Sequence, residues 1–255
     1  TDARGHLLRN KGNAVFEDVS AKSGIADVRG ARRALFVDVD HDGDLDLLLV
    51  GGARNLVYRN NLDGTFTEVG ETIGLAGRAP AHDAAFADLD NDGRIDVVMV
   101  TDSGIVLYRN TTAARRFEDA TATSGLPTTG VWSSVTVADY DNDGTLDLLL
   151  THPGSAPELW RNNGTGKFTR DDRSRQALSA LTSVADLHGR FVDVNNDGWL
   201  DLVLVGKAGA GRRSSYLLRN DGAGALKDAS NVLPATLGTG VSIAALDVDN
   251  DGDVD

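Results

Sequence analysis

A nine-residue loop rich in oxygen ligands occurs five times in the chain, and each copy follows the pattern D-x-[DN]-x-D-G-x-x-D. The copies are DVDHDGDLD at 38–46, DLDNDGRID at 88–96, DYDNDGTLD at 139–147, DVNNDGWLD at 193–201 and DVDNDGDVD at 247–255. Carboxylates packed this densely repel one another unless a cation lies among them. Because the side-chain ligands are all oxygens, the loops favour a hard divalent cation, and calcium above softer metals.

Each loop position has a predicted role, by analogy with other linear calcium loops. Positions 1, 3 and 5 supply side-chain oxygens, position 7 supplies a backbone carbonyl, position 9 closes the cage, and glycine at position 6 permits the turn. The predicted ligands are Asp38, Asp40, Asp42, Asp44 and Asp46; Asp88, Asp90, Asp92, Arg94 and Asp96; Asp139, Asp141, Asp143, Thr145 and Asp147; Asp193, Asn195, Asp197, Trp199 and Asp201; and Asp247, Asp249, Asp251, Asp253 and Asp255. We expect about one ion per repeat, up to five, with the fourth site weakest because Asn195 carries no charge.

The loops have two other interpretations, an EF-hand and a metal-free hairpin turn. An EF-hand requires a glutamate at position 12 between two helices. Position 12 is instead Leu49, Met99, Leu150 or Leu204, each within a short apolar stretch typical of a strand. Alternatively, Asp, Asn and Gly form hairpin turns that bind no metal. One copy fits that explanation, whereas five copies with intact spacing favour a metal site.

The loops mark a repeat, because their first aspartates are separated by 50, 51, 54 and 54 residues. An Arg-Asn pair recurs in phase at 9–10, 59–60, 109–110, 161–162 and 219–220, and we expect its arginine to bond a loop carboxylate or carbonyl. Short apolar stretches flank each loop and two more follow, which predicts four short antiparallel strands per unit. Four strands at this period are typical of a β-propeller blade.

We therefore predict an all-β fold in which residues 1–255 form a single β-propeller domain of four-stranded antiparallel blades, with five repeats visible. The chain begins within a unit, at HLLRN, and stops after the fifth loop. Two arrangements fit this pattern. Either the N-terminal segment completes the fifth blade of a five-bladed ring, or the domain is part of a larger propeller.

The net charge of −13 is concentrated in the loops, which hold 21 aspartates and one arginine, so the other residues carry a net of +7. Absence of cysteine excludes disulfides, zinc-thiolate sites and cysteine nucleophiles. No apolar run approaches the roughly 20 residues that span a bilayer, and no basic stripe with aromatics suggests nucleic-acid binding. Loops of this type load calcium most readily outside cells, so we expect an extracellular or periplasmic protein, although this chain shows no signal peptide.

The loop between strands, followed by LYRN or WRN and then a GTFT-like segment, resembles the FG-GAP or VCBS repeats, best known from the propellers of integrin α subunits. Bacterial secreted proteins carry arrays of similar units. The resemblance covers nearly the whole chain and implies a calcium-stabilised propeller, whose blade count in many members exceeds the five loops seen here. Propellers host adhesion, lectin, lyase and dehydratase functions alike, so the resemblance leaves the activity open.

Residues that break the repeat are candidates for ligand binding. Just before the strand that enters each loop, the units carry different side chains, which are Arg32 and Arg33, His82 and Asp83, Trp132, His188, and Val241. The candidate ligand-binding residues among them are Arg32, Arg33, His82, Trp132 and His188. In a propeller these positions gather near one mouth of the channel, where they suit a sugar or an acidic group. The alternative is that they are ordinary residues of the rim.

Three functions are consistent with these residues. The favoured one is a recognition or adhesion module that binds a protein or a glycan. The second is a carbohydrate-active enzyme, a polysaccharide lyase or sugar dehydratase, in which His82, His188 and Arg33 serve as acid, base and charge clamp. The third is a purely structural domain of a longer chain. Convergence of the candidate residues in one pocket, combined with shifted pKa values, would favour the enzyme, and a spread over a flat rim would favour the binding module.

Overall fold

Short strands of three to nine residues build the fold, in a computed structural model that describes residues 4–25, 28–76, 79–111, 116–181, 184–208, 213–222, 224–234, 240, 242–249 and 254. An N-terminal hairpin of β1 (Leu8–Asn10) and β2 (Phe16–Asp18) comes first. Arg9-Asn10 and Phe16 give this hairpin the sequence of the third and fourth strands of a repeat. How the ring closes stays a prediction.

Four four-stranded antiparallel sheets follow, each built from four consecutive strands. The first blade contains β3 (Arg33–Val37), β4 (Asp46–Val50), β5 (Leu56–Asn60) and β6 (Phe66–Glu68). The second contains β7 (Ala81–Ala87), β8 (Asp96–Thr101), β9 (Gly104–Thr111) and β10 (Arg116–Asp119). The third contains β11 (Ser134–Ala138), β12 (Asp147–Thr151), β13 (Glu158–Asn162) and β14 (Phe168–Asp171). The fourth contains β15 (Val184–Val192), β16 (Asp201–Ala208), β17 (Ser215–Asn220) and β18 (Leu226–Asp228). The predicted all-β fold of four-stranded propeller blades is confirmed.

The hydrophobic core lies between neighbouring blades. The second strand of each of the first three blades is buried along its whole length, because a blade stacked between two others buries both of its faces. Leu48 of the first blade packs with Met99 of the second, and Leu149 of the third packs with Leu202 of the fourth. Each such side chain contributes about 1.5–3 kcal/mol by leaving water. The continuous LLLV and VVMV stretches follow from this two-sided burial.

The first strand of each blade lies at the centre. Residues of β3, β7, β11 and β15, together with Ser242 and Ile243, line one channel of about 710 Å³. We call this cavity the central channel. The side chains that face it therefore come from the segment just before each loop.

Short helices that sequence analysis did not predict connect the blades: α1 (Ser20–Ser23), α2 (Gly70–Ile73), α3 (Thr121–Ser124) and α4 (Arg175–Ser179). The first three end at a left-handed glycine, such as Gly74 with φ of 85°. A Cβ on Gly74 would overlap the carbonyl oxygen of Phe117, in the last strand of the next blade. Only glycine fits this approach of two backbones. Within the described residues, no helix is long and apolar enough to cross a membrane.

Candidate functional site

The aspartate loops connect the first and second strands of each blade, and four of them share one backbone conformation. Position 4 has a positive φ of 52–57°, at His41, Asn91, Asn142 and Asn196. Glycine at position 6 has a φ of 83–95° in the same loops, as the turn requires. Asparagine tolerates the left-handed region better than most residues, which accounts for its presence at position 4 in three of these loops.

The first aspartate of each loop folds the backbone around itself. In the first loop, the N–H groups of Asp42 and Gly43 donate to the two carboxylate oxygens of Asp38, at 3.2 and 3.0 Å. The same pair of bonds forms on Asp88, Asp139 and Asp193. Hydrogen bonds within the loop are therefore sufficient to define its backbone conformation.

Three loops bring carboxylates close enough to share a metal ion. Their ligand oxygens lie within 4.8 Å of one another, in the groups Asp38, Asp40 and Asp42; Asp88, Asp90 and Asp96; and Asp139, Asp141 and Asp147. In the fourth loop, Asn195 replaces an aspartate and donates to Asp197 at 2.7 Å. Among the described residues, this loop forms no cluster of three carboxylates.

Position 9 holds the most deeply buried carboxylates, at Asp46, Asp96, Asp147 and Asp201. Each accepts a hydrogen bond from the backbone N–H of the asparagine in the Arg-Asn pair, at 2.7–2.8 Å. Burial raises all four pKa values, that of Asp96 to about 6 and that of Asp147 to about 7. Without a cation, these groups hold protons more tightly than an ordinary aspartate does.

Arginines lie against the loop carboxylates. Arg109 forms an ion pair with Asp90, and Arg161 contacts Asp141 at 2.6 Å. A further arginine, Arg173, also reaches Asp141, at 2.8 Å. The arginine of the Arg-Asn pair thus partly offsets the negative charge of the loop in its own blade, as the sequence predicts.

The asparagine of the pair joins neighbouring blades. Its side-chain amide donates to the carbonyl at loop position 2 of the preceding blade: Asn110 to Val39 at 3.2 Å, Asn162 to Leu89 at 2.8 Å and Asn220 to Tyr140 at 2.7 Å. Because all three amides are buried, each bond replaces water that the group has lost. The loops therefore form one connected row along this end of the blades.

The remaining predicted ligands have mixed outcomes. At position 7, Asp44, Arg94, Thr145 and Trp199 each donate a backbone N–H to the aspartate at position 5, at 2.9–3.1 Å. Their role as carbonyl ligands stays a prediction. In the fifth loop, Asp247 and Asp249 are described, whereas Asp251, Asp253 and Asp255 lie outside the described residues.

A second cavity, at the opposite end of the first strands, gathers most of the candidate ligand residues. Arg32, His82, Trp132 and His188 line a pocket of about 320 Å³, which we call the mouth pocket. Arg33 lies outside this pocket and lines the central channel, together with His188. His188 is therefore the residue that connects the two cavities.

Two β-bulges shape the mouth pocket. Pairing between β7 and β8 shifts between Ala81 and Asp83, which leaves His82 as the extra residue. Pairing between β15 and β16 shifts between Ala185 and His188, and Asp186 within this bulge has a φ of 51°. Bulges redirect side chains and are common next to binding sites. Nothing in the local sequence marks them in advance.

The contacts inside the mouth pocket separate wall residues from available ones. Trp132 is 7% exposed, and its indole N–H donates to the carbonyl of Thr129 at 3.1 Å. A ring nitrogen of His82 lies 2.6 Å from the carbonyl oxygen of Trp132. The tryptophan ring therefore forms part of the wall, whereas His188 is exposed.

The pairing of Asp83 with Arg33 was not predicted from the sequence. Asp83 is 6% exposed, forms an ion pair with Arg33 and accepts a 3.0 Å bond from the backbone N–H of Val135. It lies five residues before the first aspartate of its loop, as do Arg33, Ser134, His188 and Ser242, and all five line the central channel. This shared position is the signal that identifies them. Arg190, two residues after His188, also lines the central channel and was not predicted from the sequence.

Comparison with known protein families supports the repeat reading. The profile described as FG-GAP-like repeat matches residues 38–99, 88–150, 146–204 and 193–255, which together cover most of the chain. The chain belongs to the FG-GAP-like repeat family. Each FG-GAP match begins at or near a loop and extends to the following one, so the repeat unit of the profile and the aspartate spacing agree. A comparison with curated proteins gave no match.

A solved lectin structure shares the fold. A lectin from Agrocybe aegerita, solved for its recognition of non-reducing terminal N-acetylglucosamine, is 22% identical with a TM-score of 0.52. That match covers 89% of the FG-GAP chain and 60% of the lectin. The V. cholerae biofilm matrix protein Bap1 is 14% identical with a TM-score of 0.45, over 85% of the chain and 31% of Bap1. The chain thus spans less than two thirds of these proteins.

The FG-GAP loops pass a test of fit for a divalent cation. One carboxylate oxygen in each of Asp90, Asp141 and Asp147 is buried and has no hydrogen-bond partner among the described residues. A buried acceptor without a partner is unfavourable by about 1–3 kcal/mol, and by more when it is charged. A cation at the centre of the loop would satisfy these oxygens, and an all-oxygen donor set suits a hard one.

Proposed function

We propose that this chain is a calcium-stabilised β-propeller that works outside the cell or in the periplasm as a ligand-recognition or adhesion module, with a glycan or a protein as ligand. The observation that carries the proposal is the convergence of Arg32, His82, Trp132 and His188 on the mouth pocket. These side chains break a repeat that is otherwise regular, so the blade architecture does not explain them.

The metal and the ligand have separate places in this proposal. The mouth residues lie at or just before the start of the first strands, and the aspartate loops follow those strands. His188 and Asp193 are thus five residues apart, which is about 17 Å of extended chain. Calcium bound to the loops would therefore act on the scaffold and would not contact a ligand in the mouth. Its chemistry there is charge neutralisation among crowded carboxylates.

The loops would hold calcium through the aspartates at positions 1, 3, 5 and 9, with the carbonyl at position 7 as a further ligand. Loops one to three carry the full set of carboxylates and the three clusters already formed. Because each loop is bonded to the asparagine of the next blade, an ion in one loop would stabilise the contact between two blades.

The lectin with the same fold adds support for a glycan ligand, because it shows that such a scaffold can present a saccharide site. The likeness concerns the fold, and only the mouth residues indicate the position of a site. An extracellular or periplasmic setting suits loops of this kind, since extracellular calcium-binding modules have affinities that match the concentrations found there.

Calorimetry with and without chelator tests the metal half of the proposal. Calcium should bind with a stoichiometry near one per intact loop, and EDTA should lower Tm. Asp90→Asn should reduce the calcium-dependent rise in Tm, whereas Glu118→Gln, an exposed acidic residue outside the loops, should leave it unchanged. An unchanged melting curve after EDTA treatment would exclude calcium as a stabiliser.

A glycan array, read with calcium-loaded protein, tests the recognition half. Arg32→Ala and His188→Ala should weaken binding to any glycan detected, while Arg116→Ala, at an exposed site on β10, should not. If neither a glycan nor a cell-surface protein extract binds, or if the mouth variants bind as tightly as the parent protein, the proposal of ligand recognition at this pocket is wrong.

The enzyme alternative has one supporting observation, which is that Arg33 and His188 share the central channel. His82 does not join them there, because it lines the mouth pocket and contacts the carbonyl of Trp132. The predicted acid, base and clamp therefore do not surround one point. Incubation with acidic polysaccharides, followed by ultraviolet detection of unsaturated products, would reveal a lyase, and His188→Ala should then abolish the signal.

A further inference from the structure

The central channel has the opposite charge to the protein as a whole. The chain carries a net charge of −13, yet the described lining of the channel holds two arginines, Arg33 and Arg190, against a single carboxylate, Asp83. A surplus of positive charge inside a cavity of about 710 Å³ needs an explanation in an acidic protein.

Asp83 is already occupied by protein groups. Its Oδ1 accepts the ion pair from Arg33 and a 2.9 Å hydrogen bond from the N–H of Ala84, and its Oδ2 accepts a 3.0 Å bond from the N–H of Val135. With its side chain 8% exposed, this carboxylate has little capacity left for Arg190 or for a ligand. Asp83 therefore orients Arg33 and links the second blade to the third.

Arg33 keeps donors available. The Arg33 side chain is 44% exposed and faces the channel while one of its guanidinium nitrogens contacts Asp83. A guanidinium has five N–H donors in a fixed plane, so the remaining ones point away from that contact. An arginine held in place by a carboxylate loses less side-chain freedom when it binds a second anion.

Arg190 is the clearest unmatched charge. It lies on β15 two residues after His188, so both side chains are on the same face of the strand, about 7 Å apart along it. Both are exposed and line the channel, and neither side chain has an ion pair or hydrogen bond with a described residue. Arg33 approaches the same channel from the first blade, and His188 occupies the equivalent position in the fourth.

We propose that the central channel binds the acidic group of the ligand, and that Arg190, His188 and the oriented Arg33 hold a carboxylate such as that of a uronic acid sugar. This inference rests on the proposed recognition function and specifies its ligand class. A planar guanidinium matches the two oxygens of a carboxylate, and His188, shared by both cavities, places the acidic group where the mouth pocket meets the channel. The rest of the saccharide would then lie in the mouth pocket.

The test is calorimetric binding to trisaccharides of galacturonate, glucuronate, mannuronate and guluronate, each beside its methyl ester and a neutral glucose trisaccharide. We expect at least one uronate to bind and its ester to bind at least tenfold more weakly. Raising the salt concentration should weaken the acid form alone, because screening acts on the charge interaction.

Variants locate the contact. Arg190→Gln should weaken uronate binding at least tenfold, and Arg190→Lys should recover part of it because the charge returns without the planar fork. Arg116→Gln, which removes an equal charge from an exposed site outside the channel, should have no effect. Since Arg190 is exposed, its variants should keep the parental melting curve, so a loss of binding reports on the site.

The outcomes separate this inference from the function on which it rests. Equal binding of acid and ester, or binding that ignores Arg190→Gln, overturns the carboxylate site while recognition stands. Binding of a sulfated trisaccharide with no uronate bound overturns the choice of carboxylate. If neither acidic nor neutral saccharides bind, the glycan assignment and this inference fail together.

Discussion

The side-chain amide of Asn162 in the third blade donates a 2.8 Å hydrogen bond to the carbonyl oxygen of Leu89, at position 2 of the loop in the second blade. Asn162 is only 5% exposed, so water does not hydrogen-bond its amide in place of Leu89. Its backbone N–H donates to Asp147, in the loop of its own blade. One residue thus connects two aspartate loops. The interblade bond of the amide, also made by Asn110 and Asn220, accounts for the asparagine that follows arginine in these blades.

Replacing Asn162 with alanine should lower the free energy of unfolding by about 1–3 kcal/mol, because the carbonyl of Leu89 loses a buried donor. Urea denaturation measures the change. Asn231→Ala, at an exposed asparagine whose side chain makes no hydrogen bond with a described residue, is the matched control and should alter stability by less than about 0.5 kcal/mol. Equal effects at the two positions would contradict the role assigned to the interblade bond.

Gly74→Ala should destabilise the protein more than Gly64→Ala. Both glycines have a φ near 85°, so each alanine carries a similar backbone penalty of about 1–2 kcal/mol. At Gly74 the new Cβ also overlaps the carbonyl of Phe117, whereas at Gly64 nothing lies within 4 Å. Thermal unfolding of the two variants isolates the packing effect, and a smaller loss at Gly74 would show that the blades separate easily there.

The metal-free protein should lose stability as the pH rises from about 4 to about 8. Burial raises the pKa of Asp96 to about 6 and that of Asp147 to about 7, so the folded chain holds protons that the unfolded chain releases near pH 4. Stability gained from these protons is complete below the unfolded pKa and is lost as the pH passes through the folded values. Tm in EDTA, measured at pH 5 and pH 8, checks the direction.

Asp147→Asn sharpens that experiment, because an amide resembles the protonated acid and does not titrate. In EDTA at pH 8 this variant should melt higher than the parent, yet it should gain less from calcium because the third loop has lost a ligand charge. The two effects have opposite signs. A variant that melts lower than the parent in both conditions would indicate a purely structural aspartate.

Asn195→Asp should strengthen calcium binding at the fourth loop. The change restores the carboxylate found at position 3 of the other loops and removes the 2.7 Å bond from Asn195 to Asp197. In a calcium titration we expect the weakest site to tighten by about tenfold or more, since affinity rises with the number of charged ligands. Asn196→Asp, one residue further along, is the control. No change at the weakest site would place it in another loop.

Most of the fold could be predicted from the sequence repeat. Strand order, loop position and blade size all followed from the spacing of Asp38 and its four equivalents, because one residue pattern repeated five times reports the same local structure each time. The short helices were not predicted because four residues are too few to show a helical period. Their one local signal was the glycine that ends them, such as Gly74 in VGETIGL, which also fits a turn.

The candidate site was less accessible to sequence reasoning. Arg32, His82, Trp132 and His188 were found as exceptions to the repeat, but the bulges that bring them together depend on pairing between strands. Asp83 was also found as an exception to the repeat, but its ion pair with Arg33 depends on how the first two blades approach each other. Its position five residues before the loop, shared with Arg33, was visible throughout.

The contacts between blades are directional, and this has an evolutionary consequence. Each unit offers an amide to the loop carbonyl of the unit before it, as Asn162 does to Leu89, and offers its own loop carbonyl to the amide of the unit after it. A duplicated gene segment would therefore bring its own donor for one neighbour and its own acceptor for the other. Such an array can therefore gain or lose whole units in evolution without a new kind of contact between blades.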